Sequence, residues 1–104
     1  MENVQRNLDL YCMTRHVRIY LKHFNLGEQD IIGCEACDRS GRVDGSGFDI
    51  HHIDGRGKDK DVIENLMCLC RLCHKKAHAT EMNKEDLRLI HNYKLAGKPQ
   101  KFFH

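Results

Sequence analysis

Between Thr14 and Phe24 the apolar residues Val17, Tyr20, Leu21 and Phe24 recur at helical spacing and would share one face. Thr14 is placed to cap this helix and Gly27 to stop it. Arg15, Arg18 and Lys22 fall on another face, which reads as solvated. From Gly33 to Asp61 glycines are frequent and apolar runs short, a pattern of turns and short strands. Phe48, Ile50 and Ile53 predict a strand around residues 48–53, and Leu66 to Leu69 a second. Between them GRGKDKD, residues 55–61, has no apolar member and reads as an exposed loop. Cys73 to Ala79 is expected to be helical, with His74 and His78 repeating at i, i+4. Asn83, with Asp86 three residues on, predicts the N-cap of a last helix. Leu87, Ile90 and Tyr93 would give that helix its buried face, and Gly97-Lys98-Pro99 would end it. The tail KPQKFFH offers two phenylalanines that could dock on the core.

At 104 residues, 40% of them hydrophobic, the chain fits one domain with a modest core. The pattern divides it into a helical arm over 1–32, a central segment over 33–80, and a C-terminal helix and tail over 81–104. Domains this small often need a metal or disulfides, so six cysteines and eight histidines stand out. The opening MENVQRNLDL lacks a secretory pattern, and no apolar run approaches the ~20 residues that span a bilayer. An intracellular setting is therefore expected, with no membrane partner and with reduced cysteines available to metals. Net charge is only +2, so the placement of basic residues matters more than their number.

Cys34-x-x-Cys37 and Cys70-x-x-Cys73 are two knuckle-type pairs. A two-residue gap lets both sulfurs of a pair reach one ion, and two pairs complete a tetrahedral Zn²⁺ site. The 32 residues separating the pairs exceed the 15–20 of a compact ribbon, so the intervening chain must loop out. Cys12 and Cys68 lack such a partner and read as small packing residues, with Cys68 expected to face away from the zinc.

Histidines mark a second centre. On a helix His74 and His78 share a face and can bind one ion, while Cys73 and His74 point about 100° apart and should serve different centres. On a strand the adjacent His51 and His52 point to opposite sides, so one can bind metal while the other acts as base. His16, His23, His91 and His104 have no ligand-spaced neighbour and read as ordinary histidines.

The segment DIHHIDGRGKDKDVIENLMCLCRLCHKKAH, with Cys34-x-x-Cys37 ahead of it, closely resembles the HNH endonucleases of the ββα-metal fold. The resemblance rests on the histidine pair, the Asn65-Leu66 step and the Leu-Cys-x-x-Cys-His run from Leu69 to His74, and covers roughly residues 33 to 79. It implies an α+β fold: a small zinc-stabilised ββα-metal domain (the HNH or His-Me finger) with flanking N- and C-terminal helices. It implies His51 and His74 as ligands of a catalytic metal and His52 as general base, with Asn65 bracing the loop that orients the base. His78 matches the extra histidine of nuclease colicins, and Asp54 stands where many relatives carry Pro. The activity implied is phosphodiester hydrolysis leaving a 5′ phosphate and a 3′ hydroxyl.

Three imidazoles suit Zn²⁺, Ni²⁺, Co²⁺ or Mn²⁺ better than Mg²⁺, which stays open because water and phosphate supply oxygens. Arg56, Lys58, Lys60, Arg71, Lys75 and Lys76 surround the motif as candidate contacts to the backbone of double-stranded DNA. The rival reading is a zinc-stabilised DNA-binding module without catalysis, which leaves the histidines unexplained. A phage origin would suit the small size and the family. The reading adopted is a metal-dependent DNA endonuclease, expected to nick.

Overall fold

The computed structural model describes residues 14–45 and 47–98. Cys12, His104 and the phenylalanines of the tail lie outside them, as does Pro99. Helix α1 spans Arg15–His23, strands β1 and β2 span Ile31–Gly33 and Ser40–Arg42, and β3 spans Phe48–His52. A 3₁₀ turn, Ile63–Asn65, leads into β4, Leu66–Cys70. Helices α2, Arg71–His78, and α3, Lys84–Leu95, complete the described order, a small α+β fold.

β1 and β2 form one antiparallel pair, with Ile32 opposite Gly41. Gly41 is needed there because a Cβ would come within 2.9 Å of the Phe48 ring. β3 and β4 form a second pair, in which His51 faces Met67 and His52 faces Leu66. β4 reads Leu-Met-Cys-Leu-Cys and is buried throughout, because both faces of this hairpin are covered. Met67 and Leu69 join Leu87, Ile90 and Met82 in the core on the α2–α3 side. Leu66, Cys68 and Ile50 join Tyr20, Leu21 and Ile32 in the core under α1. The pleat thus sends alternate residues of β3 to opposite sides, Ile50 and His52 toward α1, Asp49 and His51 toward α2.

Most predicted elements stand within a residue or two of their expected ends. Thr14 does occupy the N-cap of α1, but its side chain makes no capping hydrogen bond. α1 also stops earlier than Gly27, at His23 with Phe24 as its C-cap, and the next residue, Asn25, has a φ of 54°, in the left-handed region that Asn tolerates. The Asn83 cap forms as expected, its Oδ1 accepting from the Asp86 amide at 2.8 Å. α3 buries Leu87 and Ile90, but Tyr93 is only half-buried and His91 goes fully inside.

Cys68 is buried under α1 and outside the four-cysteine group. Strand alternation is not the reason, since residues two apart share a face of a regular strand. Cys70 departs from the pleat because it ends β4 and serves as the N-cap of α2.

One buried charged cluster ties these layers together. Glu35 and His91 are both fully buried. Glu35 Oε2 accepts from the Tyr20 hydroxyl at 2.6 Å and from the Cys68 amide at 2.9 Å. Its Oε1 lies 2.7 Å from His91 Nδ1, and His91 Nε2 lies 2.6 Å from the Ile63 carbonyl oxygen. A carbonyl only accepts and a carboxylate does the same, so both imidazole nitrogens donate and His91 carries its proton. Burial alone would lower the His91 pKa, but the hydrogen bond and charge of Glu35 outweigh it and the net shift is upward.

Candidate active site

Local chain geometry assembles the sulfur cluster. After β1 the Cys34 amide donates to the Arg39 carbonyl at 2.9 Å, closing the first knuckle. The second is built into a helix start: Cys70 is the N-cap of α2, and its Sγ accepts from the Cys73 amide at 3.4 Å. The Sγ atoms of Cys34, Cys37, Cys70 and Cys73 lie within 4.8 Å of one another, those of Cys37 and Cys70 3.7 Å apart. Four thiols at this spacing could hold a structural metal. Burial pushes the Cys34 thiol up to about 11. Burial pushes Cys70 upward too, but hydrogen bonds from the Cys73 amide, Cys37 and Arg39 prevail and lower it to about 7. The Arg39 guanidinium, 3.8 Å from Cys70 Sγ, brings a positive charge to a group that becomes anionic on ligation.

On the far side of α2 the ring nitrogens of His51, His74 and His78 also lie within 4.8 Å of one another. His74 and His78 come from successive turns of α2, their Nε2 atoms 3.0 Å apart. His51 enters from β3, its ring centroid 5.1 Å from that of His74 and 5.3 Å from that of His78. Burial, followed by the charges of His74, His78 and His52, lowers the His51 pKa to about 4, so its imidazole is neutral at neutral pH. Asp49, on the same strand face as His51, places Oδ2 2.9 Å from His74 Nδ1. That nitrogen donates to the carboxylate, which leaves the Nε2 lone pair directed at the cluster. Three imidazoles, one braced by a carboxylate, fit a divalent cation. The adjacent Cys73 and His74 thus join different clusters.

His52 points the other way. It is nearly buried, with Nε2 2.8 Å from Asp61 Oδ1. That hydrogen bond holds the Asp61 carboxyl below its usual range and assigns the proton to Nε2. His16 of α1 lies across the His52 ring, the centroids 4.6 Å apart and the planes tilted by 48°. Burial, then the charges of His52 and Arg56, lower the His16 pKa. Asn65, from the 3₁₀ turn, ties the intervening loop at both ends. Its Oδ1 accepts from the Asp54 amide at 2.7 Å, and its Nδ2 donates to the carbonyls of Gly55 and Lys60 at 3.3 and 3.0 Å. Asp54 bonds the Arg88 guanidinium and so fastens the same loop to α3.

Arg56, Lys58, Lys60, Arg71, Lys75 and Lys76 are all exposed, but they are not gathered at one place. Arg56 lines a cleft of about 200 Å³ with His16, Asp49 and His74. Arg71 lies 4.0 Å from Asp49. Lys76 instead borders a cleft beside the sulfur cluster, with Cys37, Arg39 and Cys73.

Residues 34–80 match the family model described as HNH endonuclease. The chain carries an HNH domain. No curated protein and no solved structure matches it. The matched segment holds β2, β3, the 3₁₀ turn, β4 and α2, whereas α1, β1 and the whole of α3 lie outside it. The matched family is one of nucleases, a hydrolase class acting on nucleic acids. Among the described residues no helix is long and apolar enough to cross a membrane.

Three residues around the HNH centres carry no signal that the sequence analysis used, and a fourth, His16, reads there as an ordinary histidine. Asp49 was legible, because two positions before His51 on a strand puts it on the same face. Asp61 sits in a polar loop with nothing to mark it, and His16 comes from another element with no spacing to suggest it. Glu35, between two cysteines, looks like a solvated knuckle residue until its burial is known.

Proposed function

We propose that this HNH protein is a metal-dependent DNA endonuclease that hydrolyses phosphodiester bonds, nicking duplex DNA. His52 is its general base, and His51, His74 and His78 hold one divalent cation, Mn²⁺, Ni²⁺, Co²⁺, Zn²⁺ or Mg²⁺. A structural Zn²⁺ sits on Cys34, Cys37, Cys70 and Cys73. One observation carries the reading: adjacent histidines of β3 face opposite ways, one into a three-imidazole cluster and the other onto a carboxylate.

The cation would neutralise the substrate phosphate and stabilise the departing 3′ oxygen. The protein supplies the proton chemistry. With Nε2–H donated to Asp61, the free lone pair of His52 is on Nδ1, and that atom takes a proton from the attacking water. Asp61 fixes the tautomer and stabilises the imidazolium that forms. Asn65 keeps both ends of the 54–60 loop closed and so holds Asp61 beside His52. Arg56, beside the cleft, together with Lys58, Lys60, Arg71, Lys75 and Lys76, contacts the DNA backbone as positioning charge.

A supercoiled-plasmid nicking assay with added Mn²⁺, Ni²⁺ or Mg²⁺ tests this. The parent protein should nick, and His52→Ala should lower the rate by about 10²–10⁴-fold with zinc content and DNA binding intact. Turnover above about a tenth of the parent would remove His52 from the role of base.

A further inference from the structure

The N-terminal helix is outside the HNH segment, yet it delivers a side chain to the cleavage centre. α1 covers the hairpin face that carries Ile50 and His52, and its phase is fixed by Tyr20 and Leu21, both buried in that core. His16 precedes Tyr20 by four residues and therefore lies one turn back on the same side of the helix. There its ring meets His52, while its Nδ1 lies 3.3 Å from the Thr14 hydroxyl oxygen.

We propose that His16 is a positioning residue for phosphodiester cleavage, its ring holding His52 in the orientation that turns Nδ1 toward the substrate. The inference rests on the assignment of His52 as base. Asp61 secures His52 through one hydrogen bond, about which an imidazole can still pivot. Packing across the ring face opposes that pivot. The contact of 4.6 Å with a 48° tilt falls within the range of favourable aromatic pairs. His16 also lines the cleft shared by Arg56, Asp49 and His74, so α1 helps to shape the wall beside the reacting phosphate. What this role requires of His16 is a packed ring and no exchangeable proton.

Nicking kinetics at saturating Mn²⁺ separate this role from its competitors. His16→Ala should lower kcat about tenfold, because small misplacements of a catalytic group are costly. KM for plasmid, Mn²⁺ dependence, zinc content and melting temperature should stay at parental values. His16→Phe, which keeps a ring without nitrogens, should recover kcat to within about twofold of the parent. Parental kcat in His16→Ala overturns the proposal, as does a raised KM at unchanged kcat. A folded His16→Phe as slow as His16→Ala, with His16→Gln recovered, also overturns it and assigns a nitrogen contact to substrate instead. His52→Ala, run alongside, keeps the two readings apart. If it cleaves like the parent, the base assignment falls, whereas an inactive His52→Ala beside a fully active His16→Ala sinks the positioning role alone.

Discussion

At the scale of residues, two carboxylates decide how the histidines are presented. Asp49 accepts a hydrogen bond from Nδ1–H of His74 and Asp61 accepts one from Nε2–H of His52, so each imidazole keeps a lone pair on a chosen side. Neither acid is a ligand or a base, but each fixes a tautomer, which a histidine in water does not have fixed. Removing such a partner from a metal-bound histidine typically costs 10–100-fold in metal affinity. Asp49→Asn should therefore raise the Mn²⁺ concentration for half-maximal nicking by about 10–100-fold, leaving the four-sulfur metal and the melting temperature unchanged. Metal titration of the nicking rate, with metal analysis of the purified variant, checks this. An unchanged Mn²⁺ dependence would reduce Asp49 to a surface acid.

At the scale of elements, α2 is a short helix serving two centres from opposite sides. Its N-cap and third residue give Cys70 and Cys73 to the sulfur cluster, while its two turns give His74 and His78 to the imidazole cluster. Helical rotation of about 100° per residue makes this division possible for neighbours in sequence. The two centres should therefore separate by mutation. Cys73→Ser removes a thiolate from a metal whose binding energy in a small domain is largely folding energy. Zinc loss and partial or complete unfolding by circular dichroism are expected. His74→Ala should keep the zinc and the thermal transition while weakening the catalytic ion. A His74→Ala chain that loses tightly held zinc and unfolds would mean one mixed site.

At the scale of the whole molecule, the buried Glu35–His91 pair joins the first cysteine knuckle, α1, β4, the 3₁₀ turn and α3. His91 has its pKa raised in the fold, so its contribution is fully present below the unfolded value of about 6.5. That contribution is lost as pH rises through the higher folded value. Replacing His91 by Gln leaves Glu35 without its cation, a change that for buried pairs costs about 3–5 kcal/mol. The stability gap between parent and His91→Gln should be widest at and below about pH 6.5 and narrow as pH rises above it, as the parent loses its proton. Denaturant melts over that rise in pH measure it, and a gap that widens with pH would contradict the protonated assignment. The same pair runs from the first cysteine knuckle to the turn that carries Asn65, so the sulfur cluster and the 54–60 loop share one anchor.

The sequence by itself determined the local pairs from which the two clusters are built. Cysteine pairs at a gap of two, histidines at i, i+4 and a His-His step on a strand place their side chains by local geometry, whatever the rest of the chain does. The ββα order and the Asn83 cap were legible for the same reason, since each depends on a few neighbouring residues. What lay beyond reach depends on contacts between distant segments. His16 and His52 are 36 positions apart, Glu35 and His91 are 56, and neither pair leaves a periodic trace. Whether Cys70 turned toward or away from Cys68 depended on the strand ending there, which the pleat rule does not specify. Burial of a charge such as Glu35 follows from which helices cover it, and the packing of α1 and α3 over the hairpin decided that.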